Sequence, residues 1–287
     1  MALMVSASAF AESVARERLT GEIMASGIAA SGKTSDGLEN ANRSGSVFGG
    51  GVNYSYDKGA DHYKIAISSG YYTYTDDKRD NRWSNSVAGS YGRDLTSDVR
   101  LTGLASYTSQ LLTLESSSAD QTQVRARLSY SPGPHRVRVT GGWRWRDYRD
   151  LPDKTGNGPV AAVDYRYRID SGRYLSMAAR YDKIDSDEDR RDYRRYIVSG
   201  EYRFRPGPKT SAAVGLQWRD WTYPHRPIGS DVRHDRSIAP TFRVRHDFGN
   251  GWSAQLEGIV IDRNSNANSY DETVKRAVLT VRKQFEM

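Results

Sequence analysis

The sequence predicts an all-β protein, an antiparallel transmembrane β-barrel of about 14 strands of the bacterial outer-membrane type. Three observations support this: apolar and polar residues alternate with period two, short and long connections alternate, and aromatic residues are frequent in a polar chain. Only 37% of the 287 residues are hydrophobic, yet 11% are aromatic. This composition fits a transmembrane barrel, because only every second strand residue there must be apolar.

Composition excludes several other classes. No window reaches about 18 consecutive apolar residues, so no transmembrane helix is expected. The chain has no cysteine, which excludes a disulfide scaffold, a thiolate zinc site and a cysteine nucleophile. A soluble propeller or β-solenoid is the alternative all-β fold. The sequence lacks the repeat of about 40–50 residues that propeller blades would show.

Residues 1–11 are predicted to be a signal peptide, and residues 12–287 a single barrel domain. The apolar stretch 2–11 ends in small residues directly before Glu12, as at a secretory cleavage site. The basic start of such a peptide is missing, since the first basic residue is Arg16. Export of a cysteine-free chain favours the Gram-negative outer membrane.

Period-two alternation places the strands in order along the chain. In the clearest case, Val137, Val139 and Trp143 alternate with Arg138, Thr140 and Arg144. Helical spacing does not explain such a pattern, whereas a strand with two different faces does. The predicted strands are 18–30, 45–57, 61–75, 82–94, 97–114, 119–131, 135–149, 159–170, 172–185, 190–205, 209–223, 234–247, 250–263 and 271–287.

The connections form two alternating sets. One set is short and rich in Gly, Pro, Asn and Asp, which favour tight turns; it comprises 57–59, 94–97, 131–134, 170–172, 205–208 and 248–251. The other set is longer and polar; it comprises 31–44, 75–81, 115–120, 150–158, 185–190, 223–234 and 264–270. This alternation predicts periplasmic turns and extracellular loops, with both termini periplasmic.

The arginines occupy the strand positions that alternate with apolar residues. If the apolar members of each strand face lipid, many arginines face the lumen, and those predicted to set its selectivity are Arg125, Arg127, Arg138, Arg144, Arg146, Arg166, Arg168, Arg203, Arg243 and Arg245. Fewer acids accompany them: Glu22, Asp164, Asp182, Glu201 and Glu257. A basic aqueous lumen favours anions if a path is open. The structural alternative is that the same arginines brace the barrel wall.

Aromatic residues near predicted strand ends suit the girdles at the two membrane interfaces. The predicted girdle consists of Tyr54, Tyr130, Trp143, Trp145, Tyr202, Phe204 and Trp252. Phe285 is predicted to serve as the aromatic insertion signal of outer-membrane barrels, although Glu286 and Met287 follow it.

No catalytic residue, metal site or cofactor is predicted. The five histidines do not form pairs at metal-ligand spacing on one strand. His234-Asp235 and His246-Asp247 lie near serines, which raises a hydrolase as an alternative. Geometry rather than sequence adjacency defines a catalytic triad, so these pairs do not predict one.

Two hairpins of the sequence resemble the barrel domain of surface lipoprotein assembly modifiers. Residues 262–266, 269–271 and 276–285 are similar to the final hairpin of that domain, and residues 181–182, 192–195 and 200–204 to another of its hairpins. The resemblance implies a barrel of fourteen strands and a role in moving a lipoprotein. By size and strand count the chain also resembles small monomeric porins.

The leading functional prediction is a channel or porin that favours anionic solutes, since no recruitment domain or catalytic cluster is visible. The alternatives are a translocation barrel for a surface lipoprotein or polymer, and an outer-membrane enzyme. Expected partners are outer-membrane lipid, lipopolysaccharide and the barrel-assembly machinery, with a lipoprotein or export partner for a translocator. Nucleic acid is not expected as a partner. The net charge is +7, but the basic residues are distributed over alternate strand positions and are not grouped in one surface patch. A monomer is expected.

Overall fold

Fourteen antiparallel strands close into one barrel in the computed structural model. The structure describes residues 15–32, 43–75, 80–112, 118–148, 152 and 155–286. Each strand pairs with its neighbours in sequence, and β1 pairs with β14 to close the ring. The strands are β1 (Arg16–Ser31), β2 (Gly45–Lys58), β3 (Asp61–Tyr74), β4 (Arg82–Asp94), β5 (Val99–Leu112), β6 (Ser118–Tyr130), β7 (His135–Asp147), β8 (Gly156–Arg168), β9 (Tyr174–Ser186), β10 (Tyr193–Gly207), β11 (Thr210–Ile228), β12 (Asp231–Gly249), β13 (Trp252–Ser265) and β14 (Glu272–Glu286).

The predicted fold class is confirmed, and every predicted strand overlaps an observed one. The predicted signal peptide, residues 1–11, lies outside the described residues. Single 3₁₀ turns at Asp189–Arg191 and Asn268–Tyr270 precede β10 and β14. In the described ranges, no helix is both long and apolar enough to cross a membrane.

The predicted long loop over 223–234 is wrong. Strand β11 continues to Ile228 and β12 begins at Asp231, so a two-residue turn joins them. Gly229 provides the positive φ of 62° that this turn needs. The pairing shifts register between Tyr223 and Pro227, and proline is tolerated in a strand at such a bulge. The strict alternation of short and long connections therefore fails at this hairpin.

The outer face is apolar and the inner face polar. Outward side chains such as Ile67, Val139 and Leu279 are 58%, 50% and 53% exposed on the protein alone, as expected of a surface that lipid covers. Their neighbours one residue along each strand point inward, and most of these are buried or half-buried. Alternation of this kind gives the barrel a lipid-facing wall and a polar lumen.

The aromatic residues predicted for the girdle all lie at outward positions. Tyr54, Tyr130, Tyr202, Phe204 and Trp252 lie toward the end of the barrel that carries the short turns. The other two, Trp143 and Trp145, lie toward the opposite end of β7. Phe285 is also outward and 41% exposed, beside the Lys283 ammonium.

All short turns except the β11–β12 turn, together with both described chain ends, lie at one end of the barrel, which is periplasmic in bacterial outer-membrane barrels. The β8–β9 turn is held by Asp170, whose Oδ1 accepts the backbone N–H groups of Gly172 and Arg173, each at 2.8 Å. The Gly172 hydrogen bond, followed by the Arg173 side chain, lowers the pKa of the Asp170 carboxyl. The carboxylate therefore stabilises this turn at neutral pH.

Candidate functional site in the lumen

The inward-facing side of β6 to β9 forms a strongly basic surface, here called the basic wall: Arg125, Arg127, Arg136, Arg138, Arg166 and Arg180. Local sequence produces it, because each of four adjacent strands carries at least one arginine at an inward-facing position. Two cavities lie against this wall. The periplasmic-side cavity, about 210 Å³, is lined by Arg138 and Arg166, and the extracellular-side cavity, about 300 Å³, by Arg125 and Arg127.

Several arginines of this surface are fixed in place by neighbours on the next strand. The Nε of Arg127 donates to the Thr140 hydroxyl at 3.1 Å. The Arg166 guanidinium lies over the Tyr174 ring, 4.4 Å from its centroid. Such contacts hold the charges in position before any solute arrives.

Two of the predicted selectivity residues, Arg144 and Arg146, lie in a buried network rather than at an open surface. Arg144 Nη2 and Arg195 Nε donate to the two oxygens of Asp182, at 3.2 and 2.9 Å. Arg146 Nη1 donates to the Tyr193 hydroxyl at 3.0 Å. Arg144 and Arg146 are only 4% and 6% exposed, so their first role is to cross-link the wall.

This network adjoins an inward apolar cluster on the extracellular half of the lumen. The cluster consists of Ile184, Tyr193, Trp221 and Tyr223, all nearly fully buried. The sequence analysis predicts no position for Tyr193, Trp221 or Tyr223, which are not part of the predicted girdle. Strand parity was the available signal, because Tyr193 lies two residues before Arg195 on the same face of β10.

Two further buried arginines were missed by the sequence prediction. Arg233 forms a two-point ion pair with Asp235, with contacts of 3.2 and 2.8 Å, and lies over the Tyr270 ring at 3.4 Å from its centroid. Arg263 pairs with Glu272 at 3.3 Å. These contacts tie β12, β13 and β14 together at the extracellular end, next to a second apolar cluster of Ala239, Ile261 and Val274.

The remaining predicted arginines differ in setting. Arg243 bridges Glu201 and Glu257, at 3.3 and 3.2 Å. Arg203 donates to the Tyr174 and Ser211 hydroxyls, and Arg245 lines a third cavity of about 170 Å³ with it. Arg168 is the last residue of β8 and lies exposed at the periplasmic rim.

The described histidine rings contact carboxylates, a threonine and a tyrosine. His234 Nε2 lies 2.9 Å from Asp220, His246 Nδ1 lies 2.9 Å from the Thr210 hydroxyl, and His62 lies between Asp57 and Asp94. These contacts do not assemble a serine, a histidine and an acid. Within the described ranges, no three His, Cys, Asp or Glu side chains are grouped to hold a metal ion.

A closed barrel with a lipid-facing apolar wall and a polar interior is an integral protein of the bacterial outer membrane. No protein-family model matches the sequence, and no curated protein matches it. The fold, in contrast, matches solved outer-membrane proteins over nearly the whole chain.

Three of these structural neighbours illustrate the match. A loop-L8 deletion mutant of OmpT, an outer membrane protein of Vibrio cholerae, aligns with a TM-score of 0.58 and 10% identity over 94% of this chain and 99% of the other. An anion-selective porin from Comamonas acidovorans gives 0.56 and 10% over 95% and 100%. The outer membrane channel DcaP of Acinetobacter baumannii gives 0.57 and 10% over 94% and 97%.

At this level of identity the likeness shows the fold alone. Two of these neighbours are themselves described as a porin and as a channel. The resemblance to surface lipoprotein assembly modifiers is not shown by the comparisons.

Proposed function

We propose that this protein is a passive outer-membrane channel that favours small anionic solutes. The observation that carries the proposal is the basic wall, where arginines from four adjacent strands face the lumen together. Fixed charges act on an ion within about one Debye length, about 8–10 Å at physiological salt. An anion passing this wall is stabilised and a cation is repelled.

The test measures reversal potentials of the purified protein in planar lipid bilayers under a KCl gradient. The variant replaces Arg138, Arg166 and Arg203 with serine, which removes three lumen charges outside the buried network of Arg144. We expect the ratio of chloride to potassium permeability to fall roughly twofold or more. Folding should be preserved, because lumen substitutions tune selectivity with little effect on stability.

A matched control replaces Arg93, Arg194 and Arg236 with serine. These arginines are exposed and lie on the outer face, so the variant loses the same net charge without changing the lumen. It should keep the reversal potential of the unmodified protein. If the lumen variant also keeps it, anion selectivity does not come from the basic wall and the proposal is wrong.

The buried cluster on the extracellular half of the lumen favours one other function. Trp221 and Tyr223 fill interior space with 0% and 1% of their surface exposed, as in a braced barrel that opens only for an export substrate. A translocation barrel for a lipoprotein or polymer is therefore the second candidate. Absence of any conductance from correctly folded protein would favour it over the channel.

A further inference from the structure

The two cavities against the basic wall adjoin each other along the strands. They share Asp164 and Arg180 as lining residues. Together they are lined by eight arginines and three carboxylates. The wall thus presents a continuous basic track that spans two cavities.

Most of the acidic charge of this track is already engaged. Asp182 accepts from Arg144 and Arg195, and Glu201 pairs with Arg243 of the neighbouring wall. Asp164 is the remaining carboxylate, and it lies opposite Arg138 in the β7–β8 register. Several guanidinium groups therefore keep positive charge that a solute can neutralise.

Each cavity is lined by an arginine whose Nε is not satisfied by a described residue. These are Arg125 on the extracellular side and Arg166 on the periplasmic side, and both Nε atoms are buried without an acceptor in the described part of the chain. A buried donor without an acceptor is unfavourable. An anionic oxygen group in each cavity would pair with the guanidinium groups that line it and offset this cost.

The space between the two groups of arginines suits a slender polar spacer. Ala162 and Ala178 have small side chains there, and Thr140 and Ser199 offer hydroxyl groups. The lining residues of the two cavities are offset by about three to five residues along β7, β8 and β9, which is roughly 10–16 Å at a rise of about 3.3 Å per residue. A single small anion would fill only one cavity.

We propose that the basic wall is a binding site for an elongated hydrophilic solute with an anionic oxygen group at each end. One anionic group lies with Arg166 in the periplasmic-side cavity, and the other with Arg125 and Arg127 in the extracellular-side cavity. The proposal deepens the channel function and rests on it, because the solute must reach the lumen. It adds that the solute is held at a saturable site rather than only attracted by charge.

The test is isothermal titration calorimetry of the folded protein in detergent with three probes. Succinyl-diglycine carries a carboxylate at each end of a polar spacer, acetyl-diglycine carries one carboxylate, and succinate carries two at short spacing. We expect saturable binding of succinyl-diglycine at least about tenfold tighter than that of either other probe, because only it can reach both cavities. Equal affinities for the three probes, or no binding of succinyl-diglycine, would overturn the proposal.

Two variants locate the site. Arg125→Gln combined with Arg166→Gln removes one charge from each cavity and should weaken the binding of succinyl-diglycine by about tenfold or more. Lys64→Gln combined with Arg276→Gln removes two charges from lumen positions on β3 and β14, outside both cavities, and should change affinity far less. Equal losses in both variants would mean that general lumen charge, not this site, binds the solute. A heat-modifiable band on gels shows that each variant is folded.

Bilayer recordings separate this proposal from the channel function. If the protein conducts anions selectively but does not bind succinyl-diglycine, the channel function is supported and the proposed binding site is wrong. If the protein binds succinyl-diglycine but shows no conductance, the binding site is supported and the proposed channel function is wrong.

Discussion

Asp182 shows how one side chain determines whether nearby arginines are structural or available to solutes. Its two oxygens hold Arg144 and Arg195, and its side chain is only 10% exposed. Arg146 lies in the same buried region through Tyr193. Three cations packed this closely require a carboxylate, because removing one partner of a buried ion pair leaves an uncompensated charge.

We therefore predict that Asp182→Asn destabilises the barrel by about 3–5 kcal/mol. The free energy of unfolding can be measured by urea titration in lipid vesicles, followed by tryptophan fluorescence. Asp164→Asn is the matched control, because Asp164 is half-buried beside the cavities and removing it should cost less than about 1 kcal/mol. Equal losses for the two variants would contradict the structural role of the network.

At the residue scale, the sequence predicts which face an arginine occupies but not what it contacts. Arg138 and Arg144 share the inner face of β7, as alternation predicts. Both line a cavity, but Arg144 is buried and paired with Asp182, whereas Arg138 is only half-buried, because the surroundings of each come from other strands. Those partners are set by the register between strands, which a single strand's pattern does not contain.

Among the elements, the β11–β12 hairpin departs most from the sequence prediction. The prediction of a loop over 223–234 rests on the alternation of short and long polar connections, and Pro224, Pro227 and Gly229 are residues typical of loops. Pairing between the two strands overrides this local preference at the cost of a register shift between Tyr223 and Pro227. The other strands were predictable because each has one lipid face, which imposes a clear period of two.

We predict that the distal part of this hairpin is dispensable for folding. Replacing residues 225–231 with Asn-Gly retains the Tyr223–Arg233 pair and leaves a turn that suits a two-residue connection. The variant should show the same heat-modifiable gel band and lose no more than about 1 kcal/mol of unfolding free energy. Loss of the folded band would mean that the hairpin tip stabilises the barrel itself.

Over the whole molecule, the inner face of the barrel should tolerate charged side chains, whereas a charge introduced on the outer, lipid-facing side should destabilise the fold. Val139 is outward, half exposed on the protein alone, and lies at the middle of β7 between Leu128 and Val163. We predict that Val139→Arg costs about 2–4 kcal/mol, because it places a charge near the centre of the lipid layer.

Unfolding of Val139→Arg in lipid vesicles measures this cost, and Val139→Leu serves as the apolar control. The control should stay within about 1 kcal/mol of the unmodified protein. A tolerated arginine at this position would show that the outer face of β7 is not in contact with lipid.

The closure of the ring between β1 and β14 has a consequence for how the protein is made. Thirteen of the strand pairings join neighbours in sequence, but the last one joins the two ends of the chain, as in the hydrogen bond between Ser26 and Thr280. Until β14 has been synthesised, any sheet that forms has two unpaired edges, and such edges recruit other chains. The unfinished polypeptide must therefore be kept apart from its copies on its way to the membrane. Pairing of β14 with β1 removes the two free edges, and with them the tendency to aggregate.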